Sequence, residues 1–182
     1  MTDDLIFFDN DCFSNFLDLQ KADILLSLFP GRIVIPFEVY HELKNEGTPA
    51  LIRNQVDQLE KSGGIVIPPP FCDDYEYDYE CFASLTEPED GSFGIGKGEA
   101  AALVYALMNK ATIASNNMRD VSTFVKRYKI KQMTTGYILC EAISKSIITI
   151  EEAASLWTLL IMLGNKLPTD DFSDYYSLYY LK

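Results

Sequence analysis

The sequence predicts an α/β protein of three layers (α/β/α), in which helices cover both faces of a central, mostly parallel sheet of four to five strands. Short runs of β-prone apolar residues alternate along the chain with longer stretches whose apolar residues recur at helical spacing. The short runs are apolar at successive positions rather than at every second one. That pattern is typical of strands buried on both faces of a parallel sheet.

Five short runs are the predicted strands. They cover residues 5–8, 32–36, 64–68, 111–115 and 130–133. Helices are expected at 37–46, 49–61, 96–110, 121–128, 136–145 and 150–163. The last of these follows Thr149, with Glu152 three residues later, in the manner of a capping box. The final residues, TDDFSDYYSLYYLK, are expected to form a short aromatic helix.

Length and composition predict a single domain over residues 1–182. Hydrophobic residues make up 48% and charged residues 23%, which is enough apolar material for a sizeable core. No apolar run approaches the roughly 20 residues of a membrane span, and the opening MTDD is acidic where a signal peptide would be basic. A cytoplasmic protein without membrane contact is therefore expected. The four cysteines form no CxxC pair, which favours a reduced compartment and no structural zinc.

The net charge of −12 is concentrated in an acidic, tyrosine-rich insertion at 71–95. Residues 71–90 hold eight acids and no Lys or Arg, whereas the other 162 residues carry 15 basic and 19 acidic side chains. The overall charge therefore argues only weakly against a nucleic-acid partner. The insertion is interpreted as a solvated loop, with contact to a basic partner as the alternative. The aromatic tail at 168–182 is interpreted as an interface, for example of a homodimer, with stacking on RNA bases as the alternative.

Acids and amides from distant parts of the sequence are expected to meet at one edge of the sheet. Asp9 ends the first predicted strand, and Asn116 and Asn117 follow the fourth. Glu42 lies near the middle of the helix after the second strand, and Glu99 opens the helix before the fourth. Because ligands of open parallel sheets collect at the carboxyl ends of the strands, these side chains form the candidate site.

Five pieces of the sequence, in order and spacing, resemble the PIN-domain nucleases over residues 4–163. They are LIFFDND (5–11), IPFEVYHEL (35–43), GEAAAL (98–103), ASNN (114–117) and TTGYIL (134–139). The resemblance implies a metal-dependent endoribonuclease that hydrolyses RNA phosphodiester bonds with Mg²⁺ or Mn²⁺, often the toxin of a bacterial toxin-antitoxin pair. It implies an RNA substrate and leaves open an antitoxin or another basic protein as partner.

Site residues are carried over from the resemblance position by position. The catalytic set that it implies is Asp9, Glu42, Glu99 and Asn117. Clustered carboxylates raise one another's pKa unless a cation neutralises them, and Mg²⁺ and Mn²⁺ prefer oxygen ligands. The chain departs from the family at Asn117, where Asp is usual, because an amide offers a carbonyl oxygen but no charge. Asp120, one helical turn further on, or Asp11 is expected to supply the missing carboxylate. The implied metal ligands are Asp9, Glu99, Asn117 and Asp120.

Supporting residues flank this set. Asn116 precedes Asn117, and Arg119 is placed to contact a phosphate near the site. Asn117 with Asp120 also fits a helix N-cap, so a capping role is the alternative to a metal-related one. His41, the only histidine, points about 100° away from its neighbour on a helix and is interpreted as structural rather than as a general base.

The acids have structural alternatives as well. Asp9 could merely precede a helix whose cap is Asn10 or Asp11. Glu42 could be a solvated residue on an exposed helix face. Glu99 lies in a first helical turn, where the helix dipole favours an acid whatever its function.

Two other classes of function stay open. A catalytically weakened PIN-like binding module, acting through a protein partner, would fit the uncharged Asn117 and the acidic insertion. The pair Asp9 and Asp11 also resembles the DxD of haloacid-dehalogenase-type phosphatases, a remote alternative because Cys12 and Phe13 stand where that family has a Gly-containing pair. The presence of all three acids of the catalytic set favours the nuclease.

Overall fold

The computed structural model describes residues 4–71, 76–87, 94–117 and 124–181. Four short parallel strands form one sheet in the order β2-β1-β3-β4. The strands are β1 (Ile6–Phe8), β2 (Ile33–Val34), β3 (Thr112–Ala114) and β4 (Lys131–Met133). Phe7 in β1 pairs with Val34 on one side and with Ile113 on the other. The predicted α/β class with a parallel sheet is confirmed.

Helices connect and cover the strands. They are α1 (Asn10–Asp18), α2 (Ala22–Leu28), α3 (Phe37–Lys44), α4 (Ala50–Lys61), α5 (Glu76–Thr86), α6 (Lys97–Met108), α7 (Thr135–Ser144), α8 (Ile150–Met162) and α9 (Phe172–Tyr175). Residues 124–128 are also helical, and a π-helical segment, Tyr176–Tyr180, continues α9. Helix α8 begins with the predicted capping box. None of the helices in the described ranges is a candidate membrane span.

Each face of the sheet has its own hydrophobic core, because successive strand residues point in opposite directions. Ile6 and Phe8 of β1 pack with buried residues of α1, α2, α3, α4, α7 and α8. Phe7 packs on the other face with Ile113 and with buried residues of α6. Helices therefore cover both faces, as the three-layer prediction requires.

The structure corrects three predictions about the elements. The predicted strand at 64–68 is reduced to a single parallel bridge between Val66 and Val34, and the prolines that follow at 68–70 lack the N–H groups that further pairing would need. Two helices, α1 and α2, lie between β1 and β2; neither is among the predicted helices, although one alternative for Asp9 placed a helix after it. Part of the acidic insertion, interpreted as a solvated loop, forms helix α5.

Candidate functional site

A cleft of about 160 Å³ lies beyond the carboxyl ends of β1 and β3 and is called here the acidic cleft. Its lining is Asp9, Asn10, Asp11, Glu42, Gly96, Gly98, Glu99 and Asn117. All four residues of the catalytic set predicted from the sequence are among them, together with the supporting Asp11. They come from five separate places in the chain, namely the end of β1, helices α1, α3 and α6, and the segment after β3.

Asp9 is a buried carboxylate, with only 4% of its surface exposed. Its Oδ1 accepts a hydrogen bond of 2.7 Å from the Cys12 amide, so that Asp9 itself is the N-cap of α1. The alternative in which Asn10 or Asp11 caps this helix is wrong, because Asp9, the residue after β1, occupies the cap position. A cap fixes the direction of the carboxylate and does not by itself require it to be charged.

Burial raises the pKa of Asp9 to about 7, and the nearby carboxylates of Asp11 and Glu42 contribute to the rise. Hydrogen bonds from Ser115 and from the Cys12 amide act in the opposite direction but are outweighed by desolvation. Ionising Asp9 in the cleft therefore costs free energy, and a bound cation would lower that free energy.

Glu42 reaches from α3 to the first turn of α6. Its Oε1 accepts a hydrogen bond of 3.2 Å from the Gly98 amide. A Cβ atom at Gly98 would lie 2.9 Å from Oε1 of Glu42 and 3.0 Å from Cγ2 of Val39, so the close approach depends on glycine. Although this bond favours the charged form, burial of the carboxylate is the larger effect and raises the pKa of Glu42. Gly98 is therefore a site residue whose role the motif GEAAAL alone does not reveal.

Asn117 contacts the remaining acid of the set. Its Nδ2 donates a hydrogen bond of 3.3 Å to Oε2 of Glu99, and its backbone amide donates to Oγ of Ser115 at 3.1 Å. An aspartate at this position would place a second negative charge against Glu99. The amide instead gives Glu99 a neutral donor, which lowers the repulsion within the cleft.

Asn116 has a structural role that the sequence pattern does not reveal. Its Oδ1 accepts from the Thr135 amide at 2.9 Å, and its Nδ2 donates to Oγ1 of Thr135 at 3.0 Å. The same buried hydroxyl accepts from Nδ2 of Asn15 at 3.1 Å and donates to Sγ of Cys12 at 3.6 Å. Through these hydrogen bonds, Thr135 connects the start of α7 with α1 and with the segment after β3. The motif TTGYIL was the available signal for Thr135; nothing in the sequence singled out Asn15.

The other predicted residues differ in where they lie relative to the acidic cleft. Asp11 lines the cleft but is exposed at its rim. His41 is exposed on α3 and packs edge-on against Phe37, with ring centroids 4.4 Å apart, and it does not line the cleft. Arg119 and Asp120 lie outside the described residues, as does the first part of the helix predicted at 121–128.

The donor atoms of this cleft are of the kind that bind a metal ion. Within the described part of the chain, no three His, Cys, Asp or Glu side chains are already grouped as a metal site. The cleft nevertheless offers carboxylate and amide oxygens, which suit Mg²⁺ and Mn²⁺. The burial that raises the pKa of Asp9 to about 7 also suits a cation, because a positive charge beside the carboxylate would offset the loss of solvation.

Known proteins provide no further assignment. Comparisons with protein families, with curated proteins and with solved structures found no match for this chain.

Proposed function

We propose that this protein is a PIN-like endoribonuclease that hydrolyses RNA phosphodiester bonds at the acidic cleft with Mg²⁺ or Mn²⁺. One observation carries the proposal. Three acids separated widely in sequence, Asp9, Glu42 and Glu99, line one small cleft at the carboxyl edge of a parallel sheet. That edge is where ligands of such sheets bind, and placing several carboxylates side by side there costs stability through the repulsion of like charges.

The residues that would hold the cation are Asp9 and Glu99, with Glu42 and the amide of Asn117 beside them. A bound divalent cation would supply positive charge facing the scissile phosphate and would make a nearby water more acidic. Without that charge the cleft would repel RNA. The proposal therefore requires activity to depend strictly on the cation.

The side chains have separate tasks in this proposal. Asp9 is held in one direction by its cap hydrogen bond, and Glu99 is held by Asn117. Glu42 lies on the more exposed side of the cleft, and its pKa is raised. It is the carboxylate best placed to accept a proton from the attacking water.

The role as a toxin rests on the resemblance and is part of the proposal. An antitoxin or another basic protein would be the partner, and a small basic protein encoded beside this chain would support it. Arrest of growth on expression, relieved by Asp9→Asn, would distinguish an active toxin from a binding module.

The decisive experiment is cleavage of a panel of single-stranded and structured RNAs with Mn²⁺, Mg²⁺ or chelator. We expect cleavage by the wild type with either cation and none by Asp9→Asn. Asp23→Asn, the same change at an exposed acid on α2, should cleave like the wild type. Equal products from the wild type and Asp9→Asn, or products in chelator, would overturn the nuclease proposal.

A PIN-like binding module is the second candidate. The neutral Asn117 and the lack of an assembled group of three metal-ligating side chains among the described residues favour it. This candidate predicts folded protein, no cleavage with either cation, and growth effects that Asp9→Asn does not change.

A further inference from the structure

Two further hollows extend the acidic cleft across the surface. The first, here the amide hollow, has a volume of about 360 Å³ and shares Asp11 and Asn117 with the acidic cleft. The second, here the aromatic pocket, has a volume of about 480 Å³ and shares Asn116, Lys166 and Leu167 with the amide hollow. The three hollows therefore adjoin one another, in a row called here the track that leads away from the carboxylates.

The aromatic pocket has a firmly held wall. Tyr175 is 6% exposed and lies so close to Gly136 that a Cβ there would be 2.4 Å from its ring. Its hydroxyl is 2.9 Å from Oγ1 of Thr134, and its ring centroid is 5.0 Å from that of Trp157. Because these contacts already hold the ring of Tyr175 in one position, ligand binding would not reduce its conformational entropy further.

The outer ring of the pocket is Tyr179. It is stacked on Tyr175, with ring centroids 5.0 Å apart and an angle of 23° between the planes, and it is 58% exposed. An exposed ring supported from behind by a buried one is suited to stacking against another planar group. A nucleobase is such a group, and stacking of this kind tolerates any base.

Polar side chains between the aromatic pocket and the acidic cleft could bind a phosphate and the polar edge of a base. Lys166 is the only basic side chain among the described residues that line the three hollows, and it borders both the amide hollow and the aromatic pocket. It has no ion-pair partner in the part of the chain that the structure describes. Asn116 uses one donor and one acceptor on Thr135, so that a second donor and a second acceptor remain for a base edge.

We propose that the aromatic pocket binds one base of the RNA substrate, stacked on Tyr179, with a neighbouring phosphate at Lys166 and a scissile phosphate at the acidic cleft. The inference rests on the proposed nuclease function and adds a subsite to it. The order of these groups along an RNA strand matches the order of the sites along the track. The base lies at the ring of Tyr179, the neighbouring phosphate at Lys166, and the scissile phosphate at the acidic cleft. A volume of about 480 Å³ accommodates a single nucleotide.

Binding can be measured apart from cleavage, because Trp157 is the only tryptophan and lines the pocket. In the Asp9→Asn background, which is not expected to cleave RNA, a four-nucleotide RNA should change the fluorescence of Trp157 on titration, and the same oligomer without bases should bind much more weakly. Tyr179→Ala should raise the Kd for the RNA between about fivefold and a hundredfold. Tyr179→Phe should stay within about twofold, because the ring is kept.

Tyr128→Ala is the matched control, since Tyr128 is 46% exposed and does not line the track. Equal affinity for the RNA and the abasic oligomer, or an unchanged Kd in Tyr179→Ala, would overturn the subsite. If the wild type still cleaves RNA in an Asp9-dependent way, the nuclease proposal survives that result. Base-dependent binding lost in Tyr179→Ala supports the subsite even if no cleavage is found.

Discussion

Replacement of Asp9 by Asn is expected to stabilise the protein at alkaline pH. The pKa of Asp9 is raised from 3.8 to about 7 in the folded state. The folded state therefore binds a proton that the unfolded state has lost, and folding loses free energy as the pH rises from 3.8 through 7. Asn removes this pH-dependent penalty while keeping an oxygen that can accept the cap hydrogen bond from Cys12.

The size of the effect follows from the same two pKa values. At pH 8 the full difference corresponds to about 4 kcal/mol, so that a gain of about 2–4 kcal/mol is expected for Asp9→Asn. At pH 4 the two proteins should differ by only about 0.6 kcal/mol from this cause. A divalent cation should stabilise the wild type at pH 8 more than it stabilises Asp9→Asn, because only the wild type offers the carboxylate of Asp9.

Urea unfolding in chelator at pH 4 and pH 8 measures this directly. Asp170→Asn, a matched change at an exposed acid, should alter the free energy of unfolding by less than about 0.5 kcal/mol at either pH. If Asp9→Asn is no more stable than the wild type at pH 8, the idea that the buried, ionised carboxylate of Asp9 lowers the free energy of unfolding is refuted.

Two further changes test the contacts within the acidic cleft. Gly98→Ala places a methyl group on the carboxylate of Glu42, so Mn²⁺-dependent cleavage should fall by up to about a hundredfold while the free energy of unfolding changes by less than about 1 kcal/mol. Unchanged cleavage rates would show that the position of Glu42 does not matter. Asn117→Asp puts a carboxylate in place of the amide that donates to Glu99; it should tighten Mn²⁺ binding measured by calorimetry and lower the stability of the cation-free protein, and weaker binding would contradict the role given to Asn117.

The fold could be predicted largely from the sequence because three of the parallel strands, β1, β2 and β3, are buried at every residue and form short apolar runs. Helix α1 escaped prediction although its buried positions, Cys12, Phe13, Phe16 and Leu17, have helical spacing. Only Asp9 lies between β1 and the first residue of α1, so no turn marks the boundary between the strand and the helix. The third predicted strand was overextended because the run at 64–68 has β propensity but little room for pairing before three prolines.

The meeting of the catalytic set was predictable for a related reason. In a parallel sheet the carboxyl ends of all strands lie at the same edge, so Asp9 and Asn117 could be placed at that edge without any knowledge of distances. The contacts that give each residue its role were not predictable. The hydrogen bond between Gly98 and Glu42 joins residues 56 positions apart, and that between Asn15 and Thr135 joins residues 120 positions apart. Such contacts depend on how α3, α6 and α7 pack, which no local pattern records.

The central claim is that the carboxylates of the acidic cleft hold a divalent cation. Calorimetric titration of Mn²⁺ into the chelator-treated protein between pH 5.5 and 8.5 tests it most directly, with His41→Gln titrated in parallel because His41 is the only histidine. We expect saturable binding that weakens by about tenfold for each pH unit below 7, as Asp9 takes up its proton, and that levels off above 7. Asp9→Asn should bind weakly and show no such dependence. Absence of binding by the wild type, or the same affinity and pH dependence in Asp9→Asn, would contradict the claim.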